Sequence, residues 1–348
     1  MNIAINGLGR IGRLALRASI APSLPEAISK EATKSNNINN NDVNITHINS
    51  PSNINDLAHL IKYDSIHGTF HEECRVEGEH LIIAGHKIKV THEKDPAKLA
   101  WQDIDIVLEC SGKFAKRDLA AAHIKAGARK VIVSSPCFNA DKTIVLGVNH
   151  NDLTSKDEVI SIGSCTTNAL APIVKVINDN FGIESGYATT VHAYTNDQNL
   201  TDGSHKDMRR ARAASMSMIP TKTGAAESLK LVIPELAGRI SGSAIRVPTS
   251  NVSLIDFSFN SLGDLNELDI EAVMREAADG YLKGILGIAE AELVSVDYNH
   301  SSQSSIFDPF ETRVVGKRFG RILSWYDNEW AFAQRMLDVA GIFGFLIK

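Results

Sequence analysis

Two kinds of apolar pattern divide the chain. In the first half, short β-branched runs at 2–6, 44–48, 104–110, 130–134 and 143–148 alternate with stretches of helical period. That alternation predicts βαβ units around a parallel sheet, because parallel strands need crossover connections and helices usually supply them. A polar stretch, from about residue 23 to 43 and containing SNNINNND, interrupts the pattern. It offers little apolar area and is expected to be a solvated surface excursion with no assigned role. Beyond residue 165 the pattern changes. A helix of about four turns runs to Gly182, a residue type suited to a helix C-terminus. Strand-like runs then follow at 187–192, 243–247, 252–260 and 293–298, with helices over 268–282 and 329–341. Runs of strands with a few long helices predict a mostly antiparallel sheet carrying helices on one face.

Composition narrows the class. The chain has 348 residues, 43% hydrophobic and 22% charged, with a formal net charge of −5. That length can bury two cores, and the acidic balance argues against nucleic acid or an anionic membrane as partner. The longest apolar runs, such as 131–133 and 342–347, fall far short of the roughly 20 residues of a spanning helix. The first strand begins at once, so no signal peptide is expected. Cys74, Cys110, Cys137 and Cys165 have no C-x-x-C spacing, which suits free thiols in a reducing, cytoplasmic compartment.

The opening NIAINGLGRIGRLALR places Gly7, Gly9 and Gly12 in G-x-G-x-x-G, between a strand and a helix. The first glycine permits the tight turn and the second lets backbone approach a pyrophosphate. The third lets helix and strand pack while the helix N-terminus faces the anion. A ligand-free glycine turn is the bland alternative, and the strand–turn–helix context argues against it. A carboxylate usually ends the second strand to take a ribose 2′-hydroxyl, yet here ITHINSPSN puts Ser50 at that place. Asp42 and Asp56 are not well placed to substitute for it. A serine does not repel a 2′-phosphate, so the expectation is NADP, or a site accepting either NAD or NADP.

Ser164-Cys165 opens a helix, where N–H groups and the dipole favour a thiolate. An isolated cysteine reads more simply as a small core residue. Downstream of a dinucleotide motif, with His192 ending a strand in TTVHAYTNDQ, a nucleophile and its proton carrier become the better reading. His67, His71 and Cys74 in HGTFHEEC resemble metal ligands, but Gly68 and Thr69 spoil a helical i,i+4 pair and no metal is expected. Arg209, Arg210 and Arg212 in MRRARAA suit small phosphates or a subunit contact better than RNA on a chain of this charge.

The segments INGLGRIGR, LIKYDSIHG, SCTTNALAP, HAYTNDQ, HKDMRRARAA, IPTKTGAA, IRVPTSNVS and SWYDNEW taken together give the chain a specific identity. It resembles phosphorylating glyceraldehyde-3-phosphate dehydrogenases over nearly its whole length, the asparagine-rich insert excepted. The resemblance implies an α/β protein: a Rossmann dinucleotide-binding domain (1–164 with 328–348) plus an α+β catalytic domain (165–327) with a mostly antiparallel sheet. It also implies a homotetramer. Cys165 would attack the aldehyde, His192 would carry the proton, and inorganic phosphate would release the acyl group from a thioester. Arg10 and Ile11 would meet the pyrophosphate and Asn328 the nicotinamide amide, with Asn6, Lys94 and Ser134 as further cofactor contacts. Thr195, Asp197, Arg246 and Arg210 would line the site for the triose phosphate. Ser164, Thr166, Thr223 and Gly224 would surround the attacking phosphate.

Departures from the family pattern carry information. Many members have a second cysteine one turn beyond the nucleophile, where this chain has Ala169, so an intrahelical disulfide is excluded. Gly203-Ser204 stands where NAD-preferring members carry Leu-Pro, and with Ser50 it points to NADP acceptance. Two other functions compete. Erythrose-4-phosphate dehydrogenases share fold and nucleophile but usually lack Tyr-Thr-Asn after the histidine, which is present here as Tyr194-Thr195-Asn196. A non-catalytic dinucleotide- or RNA-binding protein should have lost the nucleophile, base or phosphate residues, and all are present.

Overall fold

The computed structural model describes residues 1–20 and 43–347; the asparagine-rich excursion lies almost wholly outside them. The chain alternates strand and helix at first: β1 (Asn2–Asn6), α1 (Arg10–Ile20), β2 (Asn44–Asn49), β3 (Cys74–Glu77), β4 (His80–Ile83), β5 (His86–Thr91), β6 (Ile106–Glu109), β7 (Lys130–Val133), β8 (Lys142–Thr143) and β9 (Val159–Ser161). Among the described residues these nine strands form one sheet in the order β8-β9-β7-β6-β1-β2-β5-β4-β3. Its centre is parallel and apolar, with Ile3, Ile5, Val107, Leu108, Val131 and Ile132 fully buried. Strands buried on both faces read as continuous apolar runs, which is why the sequence pattern predicted them. The antiparallel β3–β4–β5 edge was not anticipated, because its alternating charges look like loop.

The second half begins with α2 (Cys165–Phe181), whose Leu170, Ile173, Val174 and Ile177 are fully buried. Each such side chain contributes about 1.5–3 kcal/mol, so the helix carrying Cys165 is firmly seated. There follow β10 (Ile183–Ala193), β11 (Ile219–Thr221), α3 (Ala225–Val232), β12 (Ile240–Val247), β13 (Ser253–Ser261), α4 (Glu267–Asp279), β14 (Leu286–Ile288), β15 (Ser305–Val315), β16 (Phe319–Tyr326) and α5 (Trp330–Phe345). The sheet order is β11-β12-β10-β13-β16-β15-β14, antiparallel except for the β10–β12 and β14–β15 pairs. The last helix returns to pack on α1, and Arg335 on it, paired with Asp338 at 2.8 Å, reaches Gly284 O beyond α4.

Two expected strands fail. Of 143–148 only Thr143 is in a strand; Asn149 turns back to take Thr143 O (2.9 Å) and Val145 N (2.8 Å), the groups a longer strand would pair. Residues 293–298 instead contain a 3₁₀ turn, Ser295–Tyr298, closed by Asp297 accepting from Val294 N.

Candidate active site

The glycine motif forms a cradle because side chains have no room there. Gly7 has φ +94°, and a Cβ on it would lie 2.5 Å from Ser111 N. A Cβ on Gly12 would lie 2.3 Å from Gly7 O, while Gly9 faces open space. The first N–H groups of α1 therefore look into a crevice between the turns after β1 and β6, where parallel sheets hold dinucleotide phosphates. The expected role of Arg10 narrows to its main chain. Its guanidinium is bidentate to Asp64 (2.9 and 3.1 Å) and bonded twice to Glu329, so only backbone at Arg10 and Ile11 is left for a pyrophosphate.

Ser50 directly follows β2, buried, with its N–H on Thr91 O and its hydroxyl accepting from Ser52 N at 3.4 Å. Lys94 lies in the adjoining loop after β5, and Ser134 follows β7 with its N–H on Glu109 O. Asn6 closes β1 and Asn328 accepts from Ser253 Oγ at 2.8 Å, which orients its amide. Gly203 and Ser204 sit apart, exposed on the loop after β10 and held by Asn199. Among the described residues no hydrogen bond joins them to the Ser50 loop.

At the start of α2, Ser164 Oγ accepts from Thr167 N in a capping box, which sets Cys165 as the first helical residue. Its Sγ lies 3.5 Å from His192 Nε2, near the end of β10. The β10–β12 register puts Arg246 directly beside His192. His192 Nδ1 then faces Ala193 O at 2.7 Å and the Arg246 guanidinium at 2.8 Å. Those partners make opposite demands. With Nδ1–H donating to Ala193 O, Nε2 is open to accept the thiol proton; with Arg246 donating to Nδ1, the hydrogen sits on Nε2 facing sulfur. Tyr326 was missed. Its ring meets His192 edge-on at 6.0 Å, and its hydroxyl joins Thr166 Oγ1 (3.0 Å) and Thr190 Oγ1 (2.9 Å).

At the thiol, desolvation opposes the helix start. Burial pushes the Cys165 thiol up, against the smaller pull of Arg246 and of hydrogen bonds from Thr166 at the helix start. Burial and Arg246 together push His192 down to about 3. Both directions favour a neutral thiol beside a neutral imidazole until something changes the pocket.

The residues expected to bind phosphates are largely pre-tied to one another. Arg210 pairs with Asp197 and also reaches Thr221 Oγ1 at 3.1 Å. Asp197, a carboxylate, thus holds Arg210 rather than offering an anion a donor. Thr166 is likewise engaged with Tyr326, Thr195 N meets Gln198 Oε1, and Thr223 Oγ1 accepts from Ala225 N at the start of α3, beside Gly224. Arg246 Nε is buried without a hydrogen-bond partner among the described residues, on the guanidinium that meets His192 Nδ1. His67 turns away from His71 and Cys74 to meet Glu329 (3.1 Å) and His300 (3.1 Å). No cluster able to hold a metal ion is found among the described residues.

Residues 1–117 match the NAD binding domain of glyceraldehyde 3-phosphate dehydrogenase, and residues 164–328 match that family's C-terminal domain. The chain is 47% identical to glyceraldehyde-3-phosphate dehydrogenase of Xanthobacter flavus, over 99% of this chain and 98% of that protein. It is 46% identical to glyceraldehyde-3-phosphate dehydrogenase 1 of Bacillus subtilis (strain 168), over 98% and 97%. The plasmid-encoded glyceraldehyde-3-phosphate dehydrogenase of Cupriavidus necator is 48% identical over the same shares.

Proposed function

The chain belongs to the glyceraldehyde-3-phosphate dehydrogenase family, and from that premise we propose how its residues carry out the reaction. The enzyme oxidises D-glyceraldehyde 3-phosphate and phosphorylates the acyl product to 1,3-bisphosphoglycerate. NAD fits the cradle, since Gly7 and Gly12 have no space for a Cβ, Gly9 is open, and the helix start presents N–H groups. When bound it supplies the hydride acceptor.

The observation that carries the reading is Cys165 Sγ at 3.5 Å from His192 Nε2 at the start of a capped helix. Cys165 attacks the aldehyde carbon, and its proton passes through His192 to the carbonyl oxygen, giving a hemithioacetal. His192 Nε2 takes that hydroxyl proton as hydride leaves the carbon, and the acyl group remains on Cys165 as a thioester. Inorganic phosphate then attacks the carbonyl and sulfur departs, so one covalent intermediate separates oxidation from acyl transfer. Arg246 links the substrate to the base. A phosphate on its guanidinium draws its donors off His192 Nδ1, which leaves Nδ1–H on Ala193 O and Nε2 free to accept. Thr195 and Arg210 complete the substrate anion site, with Asp197 orienting Arg210; Ser164, Thr166, Thr223 and Gly224 surround the attacking phosphate.

NADP is accepted alongside NAD, because Ser50 presents no carboxylate to a 2′-phosphate. Two separate sheets support a division into 1–164 with 328–348 and 165–327. Exposed Leu200, Met208, Met216 and Met218 on one loop support burial against other copies in a homotetramer. No helix among the described residues is long and apolar enough to cross a membrane, and the free cysteines support a cytoplasmic location.

The test is steady-state reduction of NAD and of NADP with glyceraldehyde 3-phosphate, with and without inorganic phosphate. Phosphate-dependent turnover is expected with both cofactors. Turnover confined to NAD removes the Ser50 argument alone. Preference for erythrose 4-phosphate without a phosphate requirement overturns the reaction.

A further inference from the structure

A buried polar chain crosses the carboxyl ends of the parallel strands, and neither the reaction nor the phosphate sites account for it. Glu109, the last residue of β6, is 1% exposed. Its Oε1 accepts from Ser111 N (2.7 Å) and Ser111 Oγ; its Oε2 accepts from Asn6 Nδ2 (2.5 Å) and His123 Nε2 (2.9 Å). Four polar groups converge on two oxygens, and a carboxylate has enough acceptor positions to meet them all. His123 is fully buried, and its Nδ1 accepts from the indole N–H of Trp101 at 3.0 Å. An indole can only donate, so His123 Nδ1 serves as acceptor and its Nε2 is the nitrogen that donates to Glu109.

Beyond Glu109 the links continue in defined directions. Asn6 Oδ1 accepts from Asn49 Nδ2 (2.7 Å), and Asn49 Oδ1 accepts from Thr91 Oγ1 (2.9 Å) and Glu93 N (3.0 Å). The chain thus spans the ends of β6, β1, β2 and β5, the edge at which open α/β sheets bind ligands. It starts under the turn that meets the pyrophosphate and finishes beside the loop of Ser50 and Lys94. Gly7 packs directly on the backbone of Ser111, so a displacement of Ser111 is transmitted to the cradle. Packing alone would be served as well by apolar residues at these positions; what the polar pattern adds is direction.

We propose that Glu109 is a positioning residue for the dinucleotide crevice, fixing Asn6 and Ser111 on either side of Gly7 and being fixed itself by the Trp101–His123 pair. This deepens the NAD reading and rests on it.

Three variants test it, each by calorimetric titration of the substrate-free protein with NAD and by steady-state kinetics. Glu109→Gln places an amide NH₂ against existing donors whichever way it lies. The Kd and KM for NAD should rise by about tenfold or more, with kcat at saturating NAD and the KM for the triose phosphate within about twofold of the parent. His123→Gln keeps an acceptor for Trp101 and a donor for Glu109, and should bind NAD like the parent. His123→Phe loses both and should behave like Glu109→Gln. NAD affinity unchanged in folded Glu109→Gln and His123→Phe would overturn the proposal. So would equal losses in His123→Gln and His123→Phe, since packing would then explain the effect, or a kcat that falls in step with affinity. If Glu109→Gln does not fold, the two His123 variants decide the matter. Failure of the parent to bind NAD would strike the cofactor reading itself, not the positioning role.

Discussion

The cofactor cradle and the reacting centre are built on opposite plans. The cradle is made of backbone, the Gly7–Gly12 turn packed on Ser111, and it works because atoms are missing: no Cβ fits at Gly7 or Gly12. The reacting centre is made of side chains from α2, β10, β12 and β16, and it works because particular atoms are present. Cys165, His192, Arg246 and Tyr326 meet only when the second sheet assembles. A site of the first kind fails on adding a methyl group, and one of the second kind on losing a heteroatom.

The largest effect expected from breaking that contrast is at the centre. Cys165→Ser should lower kcat by on the order of 10³-fold or more while calorimetry finds NAD affinity within about twofold of the parent. The reverse substitution in kind is Gly12→Ala, whose new Cβ would lie 2.3 Å from Gly7 O. Strain of about 1–3 kcal/mol should weaken NAD binding roughly 10- to 100-fold while leaving the alkylation rate of Cys165 in the NAD-free protein nearly unchanged. Equal damage to both readouts would show that the two sites are not separable.

A smaller change sharpens the cradle. Ser50→Asp should cut the ratio of NADP to NAD in kcat/KM by about tenfold, with Cys165 alkylation unaffected. The smallest effect concerns the clamp between the cradle and α5. Asp64 is held well below the usual carboxylate range by the Arg10 guanidinium and by the N–H groups of His67 and Ile66, against the opposing effect of burial. A depressed carboxylate contributes stability that is present above its unfolded value and lost as pH falls through and below about 4. Asp64→Asn should therefore cost about 1–2 kcal/mol at neutral pH and flatten the acid limb of a melting-temperature profile. An unchanged acid limb would remove Asp64 from the clamp.

The same contrast explains what could be read in advance. The cradle was legible because glycine spacing, strand and helix are neighbours in the chain. Cys165 and His192 were legible as a pair only with the dinucleotide motif as context. Tyr326 lies far from both in sequence, and nothing in its own segment says that its hydroxyl reaches Thr166 and Thr190. Glu109 did leave a trace: an acid ending the apolar run IDIVLE is a charge placed where burial is certain. Its partners His123 and Trp101 left none. Arg10 was expected at the pyrophosphate, but its guanidinium is drawn off by Asp64 and Glu329, the second from near the far end of the chain.

By itself, then, the order of residues determined the alternation of strand and helix, the glycine turn, the capped helix that begins at Cys165, and the family. Each of these depends on interactions within a few residues or on a pattern of apolar positions. The direction of the thiol's pKa was decided only by tertiary structure. The helix start lowers it locally, yet burial by the surrounding strands outweighs that pull. The competing demands on His192 Nδ1, the pairing of Arg210 with Asp197 and the chain from Trp101 to Asn49 were decided in the same way. Desolvation and hydrogen-bond partners are properties of the packed molecule, and a linear sequence does not say which distant groups will share a dry pocket.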